Sequence, residues 1–390
     1  MEGTARHAPV IAYLSSRLPD SPFMLVDIGC SGGIDEVWQS FGARLRALAL
    51  DGNVVEIERL QRTESRDGVR YLTALASLPA DHRFARKRNG RSFCGRSPWD
   101  RLSTARSIDL MKKDGPRSPQ TMTAANDWAD LTQADASIVV PRYLDEQGIA
   151  SVDFVKIDVD GADFDVLNSF DGELDRLGVL GVGIEVNYFG TDADTEHTFH
   201  NVDRFMKARG FELFGLTVRH YSMVSLPGRY VKTIPSPTEF GRPLQGDALY
   251  VRDLGSAEYD AMAARLPVVK LANLVCLFAA FNLPDCAAEV ATRFRHRLSA
   301  VCDVDRVLDL LAEQAQWPAV TPLSYAEYIR RFESQDRALF FAQSGQTVDE
   351  LRQRLTEATN RITAMETSKF WALRRQWFRV KRMLGLGGNE

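Results

Sequence analysis

Apolar residues in the first two-thirds of the chain come in short runs separated by polar or amphipathic stretches. Residues 23–28, 46–51, 69–72, 153–159, 179–186, 211–217 and 248–251 each have the length and composition of a strand. Runs that are nearly continuous in apolar residues, with helical segments between them, predict a mostly parallel sheet covered on both faces. In an open sheet of this kind ligands bind beyond the carboxyl ends of the strands. Asp27, Asp51, Asp158, Glu185 and Asn187 all fall at or just past such an end.

Two stretches break the rhythm. Residues 75–137 are rich in Arg, Ser and Asp, with Phe93, Trp99 and Trp128 among them, and residues 218–246 carry four prolines. Insertions this long in a compact domain predict lids or recognition loops, or disorder. After about residue 254 the pattern changes: residues 259–316 read as several helices. From residue 338 onward one long helix is expected, with a short heptad seam at Val348, Leu351, Leu355, Ala358, Ile362 and Met365. The expected domains are 1–255, a helical accessory region at 256–335, and the long helix at 336–390.

Length and charge narrow the field. The chain has 390 residues and a formal net charge of −4, so no global basic field points to nucleic acid. Its five cysteines form no C-x-x-C pair, which favours neither a zinc ribbon nor a disulfide framework and suits a reducing cytoplasm. The first 19 residues lack the apolar stretch of a secretion signal, and no run is long and apolar enough to span a bilayer.

The first chemical motif is Val26-Asp-Ile-Gly-Cys-Ser-Gly-Gly33. Asp27 closes the strand, and Gly29 and Gly33 bracket Ser31, where glycine lets backbone turn sharply and approach a ligand. Asp51 stands twenty-two residues after Gly29, where a carboxylate can accept hydrogen bonds from ribose hydroxyls. Together they describe an adenosine-type cofactor site; the alternative is a tight strand–helix turn. Asp35 and Glu36 follow Gly33 and would repel a pyrophosphate at a helix start, which weighs against NAD. S-adenosyl-L-methionine has no phosphate and carries a sulfonium, and Asp27 can face its amino group.

Further along, Lys156-Ile-Asp-Val-Asp-Gly-Ala-Asp163 leads into Phe164-Asp-Val-Leu167, and Gly183-Ile-Glu-Val-Asn187 comes later. This resembles the FkbM family of methyltransferases, whose hallmark strand reads K-I-D-V-E-G-x-E. Aspartates stand here in place of both family glutamates, retracting each charge by a methylene. The resemblance runs from about residue 23 to 253 and closes with Gly246-Asp-Ala-Leu-Tyr-Val-Arg252. It implies a class I, Rossmann-like α/β fold, with a seven-stranded sheet ending in an antiparallel hairpin. It also implies S-adenosyl-L-methionine as cofactor and methyl transfer to a hydroxyl oxygen.

Asp158 is the first candidate base. Asp160 shares its direction if the strand persists, or else caps the following helix. Lys156 is read either as catalytic or as a structural partner of Asp158 on the same face. His220, opening a long loop, is a further candidate base. Glu185 and Asn187 are read as substrate-binding rather than as ligands of Mg²⁺ with Asp158, and no metal is assigned. His197 and His200 lack a third ligand. The basic insertion carrying Arg96 and Trp99 is read as a wall for a sugar or anionic carrier, or as a solvated loop.

Residues 366–386 are cationic and amphipathic, with Phe370, Trp371, Trp377 and Phe378. Met365-Glu-Thr-Ser-Lys-Phe-Trp-Ala-Leu-Arg374 resembles tails of bacterial enzymes that build surface polysaccharides. The expected acceptor is a sugar or lipid-linked glycan, handled in the cytoplasm at the inner face of the membrane. The tail at 366–386 is read as touching that surface, docking on a partner, or covering the methyltransferase domain as a plain surface helix, and 348–365 offers a homodimer seam. The alternative is a non-catalytic scaffold that keeps the fold and recruits partners through coiled coil and tail.

Overall fold

A computed structural model describes residues 8–87, 136–159, 161–221, 238–317 and 321–334. The chain divides into two compact units, residues 1–324 and 325–390.

The first unit is built on one sheet. Its strands are β1 (Phe23–Ile28), β2 (Leu45–Asp51), β3 (Val69–Thr73), β6 (Phe154–Ile157), β7 (Gly181–Asn187), β8 (Glu212–Leu216), β9 (Arg219–Tyr221) and β10 (Arg242–Val251). The short strands β4 (Leu75–Ala76) and β5 (Ser137–Ile138) pair in parallel with each other and stand apart. They hold together the two ends of the long insertion, whose residues 88–135 lie outside the described residues.

The main sheet runs β3-β2-β1-β6-β7-β10-β8, with β9 also on β10. The neighbours from β3 to β7 are parallel, while β10 is antiparallel to β7, β8 and β9. The α/β class and the closing antiparallel hairpin are therefore as expected. The count is not: among the described residues the sheet has eight strands, not seven. The extra strand, β9, follows β8 after a two-residue break and continues along the same edge of β10. That edge is irregular, with register shifts near Leu249 and Pro243.

The two faces of the sheet are covered differently. Val26, Ile28, Leu48, Leu50, Val155, Ile157 and Val182 pack against helices Val140–Glu146, Asp163–Ser169 and Phe199–Lys207. On the other face Phe23 and Phe154 meet Trp38, Phe41 and Phe281. Trp38 and Phe41 come from a 3₁₀ segment, Glu36–Arg44, started by Asp35, whose side chain accepts from Val37 N at 3.0 Å. Phe281 follows the helix Val268–Ala280, which is buried over most of its length.

That helix is fastened by polar contacts as well as by its apolar surface. Lys270 Nζ lies 2.9 Å from Asp153 Oδ1, and Asn273 Nδ2 donates to the same oxygen at 3.0 Å. Arg44 Nη2 donates to Asn273 Oδ1 at 2.6 Å, and Met24 N to Asp153 Oδ2 at 2.8 Å. The helices of the expected accessory region, as far as residue 324, thus fold into the same unit as the sheet.

In the second unit the described element is the helix Tyr325–Ser334. The expected coiled-coil seam at 348–365 and amphipathic tail at 366–386 lie outside the described residues. Among the described residues, no helix is long and apolar enough to cross a membrane.

Candidate functional site

Strand register decides which side chains meet. Asp27, Lys156 and Gly183 are Cα partners across β1, β6 and β7, so Asp27 and Lys156 share a face. Glu185 pairs with Asp247, and Asn187 with Gln245, on β7 and β10. Alternation along each strand then brings Lys156 and Asp158, Glu185 and Asn187, and Gln245 and Asp247 onto one side of the sheet, near the carboxyl ends of the parallel strands.

A cavity of about 250 Å³ opens on this side. Trp38, Phe154, Ala280 and Phe281 give it an apolar floor, while Asp158, Glu185, Arg219 and Asp247 line the polar part. Two cations hold the carboxylates in place. Lys156 Nζ lies 3.2 Å from Asp27 Oδ1 and 3.6 Å from Asp158 Oδ2, and donates to Gly29 O at 2.9 Å. Arg219 Nη1 donates to Glu185 Oε1 at 2.9 Å, and its Nη2 reaches both Asp247 oxygens at 2.9 and 2.8 Å.

These contacts set the protonation states. Burial works against charge on Lys156, but Asp27 and Asp158 outweigh it and raise the pKa, so Lys156 is a fixed ammonium and not a base near neutrality. Asp27 is fully enclosed, and desolvation pushes its pKa to about 6 despite Lys156. Asp158 exposes 44% of its side chain and lines the cavity. Desolvation raises its pKa as well, opposed by Lys156 and reinforced by Asp163 and Asp247.

The glycine loop adjoins this cavity. Gly29 N and Cys30 N donate to Leu50 O at 2.8 and 3.2 Å, and Asp158 N donates to Ile28 O at 2.9 Å. Asp51 ends β2 and accepts from Asn53 N at 2.8 Å; the Ser31 backbone also bonds to it. Desolvation raises the Asp51 pKa, against the Asn53 bond. Gly33 packs against Glu64 so closely that a Cβ would lie 2.3 Å from its carboxylate.

The residues present fit an S-adenosylmethionine-type cofactor. Asp51 is half-buried at the strand end beside the loop. The groups around the loop and cavity are acidic and suit a cationic sulfonium. Asp27, however, does not turn toward open space: it is 1% exposed and its partner is Lys156. Its expected role facing a ligand amino group gives way to that of a buried counter-ion. An acid at this position in the strand interior has no water and takes the nearest ammonium.

The other expected site residues sort as follows. Lys156, Asp158 and Glu185 line the cavity together. Asn187 is close by but buried, with Nδ2 3.4 Å from His197 Nδ1. His220 does not line the cavity. It stands on β9 and not in a loop, between Arg219 and Tyr221, so alternation turns it to the opposite face from Arg219. Asp160, Arg96 and Trp99 lie outside the described residues.

Sequence reasoning missed Arg219, Asp247 and Gln245, and left Asp163, the last acid of the Lys156–Asp163 motif, without a role. Asp163 begins its helix and accepts from Val159 N at 2.9 Å and Gly161 N at 2.8 Å, closing the turn after β6. The available signal for two of them was the i, i+2 spacing of Gln245 and Asp247 just before the apolar run 248–251. His197 is structural: its Nε2 lies 2.9 Å from Glu185 O.

Residues 105–213 match the model of the methyltransferase FkbM domain, and residues 136–213 of that span carry Lys156, Asp158, Asp163 and Glu185. A search of curated proteins found no match. Among solved structures, precorrin 8W decarboxylase from Methanobacterium thermoautotrophicum is 14% identical, with 64% of this chain and 92% of that one covered and a TM-score of 0.27. Precorrin-6y C5,15-methyltransferase from Geobacter metallireducens is 13% identical, with 63% and 92% covered and a TM-score of 0.27. Superpositions this loose do not bear on substrate. The match to a methyltransferase domain of the FkbM type thus holds over residues 105–213.

Proposed function

We propose that this protein is an S-adenosylmethionine-dependent O-methyltransferase acting on a sugar hydroxyl in the assembly of a bacterial surface glycan. The observation that carries the reading is the position of Asp158. It stands one residue past β6, bonded through its backbone to the end of β1, with its carboxylate in the mouth of the cavity.

When bound, the cofactor supplies an activated methyl group. The remaining work belongs to the chain. Asp51 and the Gly29–Gly33 loop hold the nucleoside side. Asp158 orients the acceptor hydroxyl and takes its proton as the oxygen attacks. Lys156 keeps Asp158 directed toward the loop. Most of the acceleration comes from alignment, with the base adding about 10²–10⁴-fold.

The aromatic floor of Trp38, Phe154 and Phe281 under a rim of hydrogen-bond acceptors suits a sugar, which has apolar faces and hydroxyl edges. The assignment to lipid-linked or growing glycan, at the cytoplasmic face of a membrane, rests on the resemblance of residues 365–374 to tails of polysaccharide-building enzymes.

The test is transfer of labelled methyl from S-adenosylmethionine to a panel of nucleotide- and lipid-linked sugars. A methyl ether should form, and Asp158→Asn should slow it by about 10²-fold or more while cofactor affinity holds. Formation of N-methyl products alone, or an Asp158→Asn enzyme at full rate, contradicts the reading.

A further inference from the structure

Asp158, Asp163 and Glu185 each place one carboxylate oxygen within 4.8 Å of the others. Acidic groups often gather without consequence, but here two buried carboxamides stand beside them. Gln245 donates Nε2 to Glu185 Oε1 at 2.6 Å. A carboxylate only accepts, so this fixes which way the amide faces. Its Oε1, on the same carboxamide, is buried and meets no donor.

Asn187 repeats the pattern. The His197 Nε2–H donates to Glu185 O, and its Nδ1 faces Asn187 Nδ2 at 3.4 Å and Asp163 Oδ2 at 3.5 Å. That turns Asn187 Oδ1 away from the ring, and this oxygen too is buried without a donor. Asn187 is 2% exposed and Gln245 7%, and the two are Cα partners across β7 and β10, two residues from Glu185 and Asp247. Both orphan oxygens thus belong to amides whose nitrogens are spent on, or next to, the acidic group.

Buried carbonyl oxygens without donors cost free energy. The three clustered carboxylates, with these two oxygens on neighbouring side chains, offer oxygen donors alone, the kind that hard divalent cations take. Two resident cations offset part of this charge, Lys156 at 3.6 Å from Asp158 and Arg219 on Glu185, but each is divided among other acceptors. Lys156 is held by Asp27 and Gly29 O, and Arg219 is shared between Glu185 and Asp247. His197 has both nitrogens engaged, so a softer metal is not favoured.

We propose that Asp158, Asp163 and Glu185, with the side-chain oxygens of Asn187 and Gln245, bind a divalent cation of the Mg²⁺ or Mn²⁺ kind at the carboxyl ends of β6 and β7. The site stands on its own geometry and does not require the methyltransferase reading. Should both hold, one oxygen of Asp158 ligates the cation and the other remains for the acceptor hydroxyl.

The test uses the full-length protein and the metal alone. Mn²⁺ binding is followed by calorimetry, and Tb³⁺ binding by emission sensitised through Trp38, which lines the same cavity. One Mn²⁺ per chain is expected. Asp158→Asn and Asn187→Ala should each weaken it about tenfold or more. Trp38→Phe should cut Tb³⁺ emission and leave Mn²⁺ affinity unchanged. Asp158 is partly exposed, so its variant is the one to trust if Asn187→Ala fails a circular dichroism check. Folded wild-type protein that takes up no Mn²⁺, or Asp158→Asn protein that binds it as tightly as wild type, overturns the site. Binding of S-adenosylhomocysteine measured on the same samples shows whether a negative result concerns the cation alone.

Discussion

Lys156 Nζ sits 3.2 Å from the carboxylate of Asp27, which is 1% exposed, and the same ammonium reaches Asp158 and the carbonyl of Gly29. One side chain thereby joins β1, the glycine loop and the end of β6. Removing it strands a charge in the interior. Lys156→Met should cost about 3–5 kcal/mol in chemical denaturation. The double variant Asp27→Asn/Lys156→Met should recover a large part of that loss, and equal instability of the single and double variants would deny the coupling.

The raised pKa of Asp27 has a consequence for pH. Its folded value is about 6 against an ordinary 3.8, so the folded state holds a proton that the unfolded chain has released. Stability from this group is present below the unfolded value and is lost as pH rises through about 6. Urea unfolding at a series of pH values should show wild-type stability falling across this window. Asp27→Asn should lack that component, and parallel profiles for the two proteins would contradict it.

Two glycines of the same loop should respond differently. A Cβ on Gly29 would lie 1.7 Å from Asp158 O, whereas one on Gly32 would meet nothing within 4 Å. Both have positive φ, at 85° and 87°. Gly32→Ala should therefore cost only the backbone strain, about 1–3 kcal/mol. Gly29→Ala must also push β6 away from β1, and should cost more and weaken cofactor binding. Equal melting temperatures for the two variants would show that the loop relaxes freely.

Asp153 carries the attachment of the helix Val268–Ala280, accepting from Lys270, Asn273 and Met24 N. Asp153→Ala leaves the buried Lys270 ammonium on Val152 O without a counter-ion. A loss of about 3–5 kcal/mol is expected. The cavity floor should loosen with it, because Ala280 and Phe281 close this helix. Calorimetric unfolding checks the first point, and Trp38 fluorescence, which should shift toward that of exposed indole, checks the second.

How much of this was legible in the sequence depends on how local the signal is. Strands β1, β2, β6 and β7 announce themselves because a strand buried on both faces must be apolar almost throughout. The glycine loop and Asp51 follow from spacing within one strand–turn–strand unit. By contrast β9 is the three residues Arg219-His-Tyr221, which carry no apolar run, and β10 begins at Arg242-Pro243, which reads as loop. Both are strands because β10 holds them in register, a tertiary effect. His220 was misplaced for that reason, and Arg219 was overlooked.

The site shows the same division. Lys156 and Asp158 are two residues apart, and their pairing could be anticipated from alternation alone. The Glu185–Arg219–Asp247 cluster joins three strands, and the floor joins Trp38 to Phe281 across 243 positions. No window of sequence contains those neighbours. One helix of the C-terminal third, Val268–Ala280, bears no catalytic motif and yet brings Ala280 and Phe281 to the cavity floor.

The central claim is that the Gly29–Gly33 loop and Asp51 hold an S-adenosylmethionine-type cofactor beside the cavity. The most direct measurement is calorimetric titration of S-adenosylmethionine and S-adenosylhomocysteine into the native protein and Asp51→Ala. Stoichiometric micromolar binding by the native protein, lost in a folded Asp51→Ala variant, is the predicted result. No binding by well-folded native protein would contradict the account.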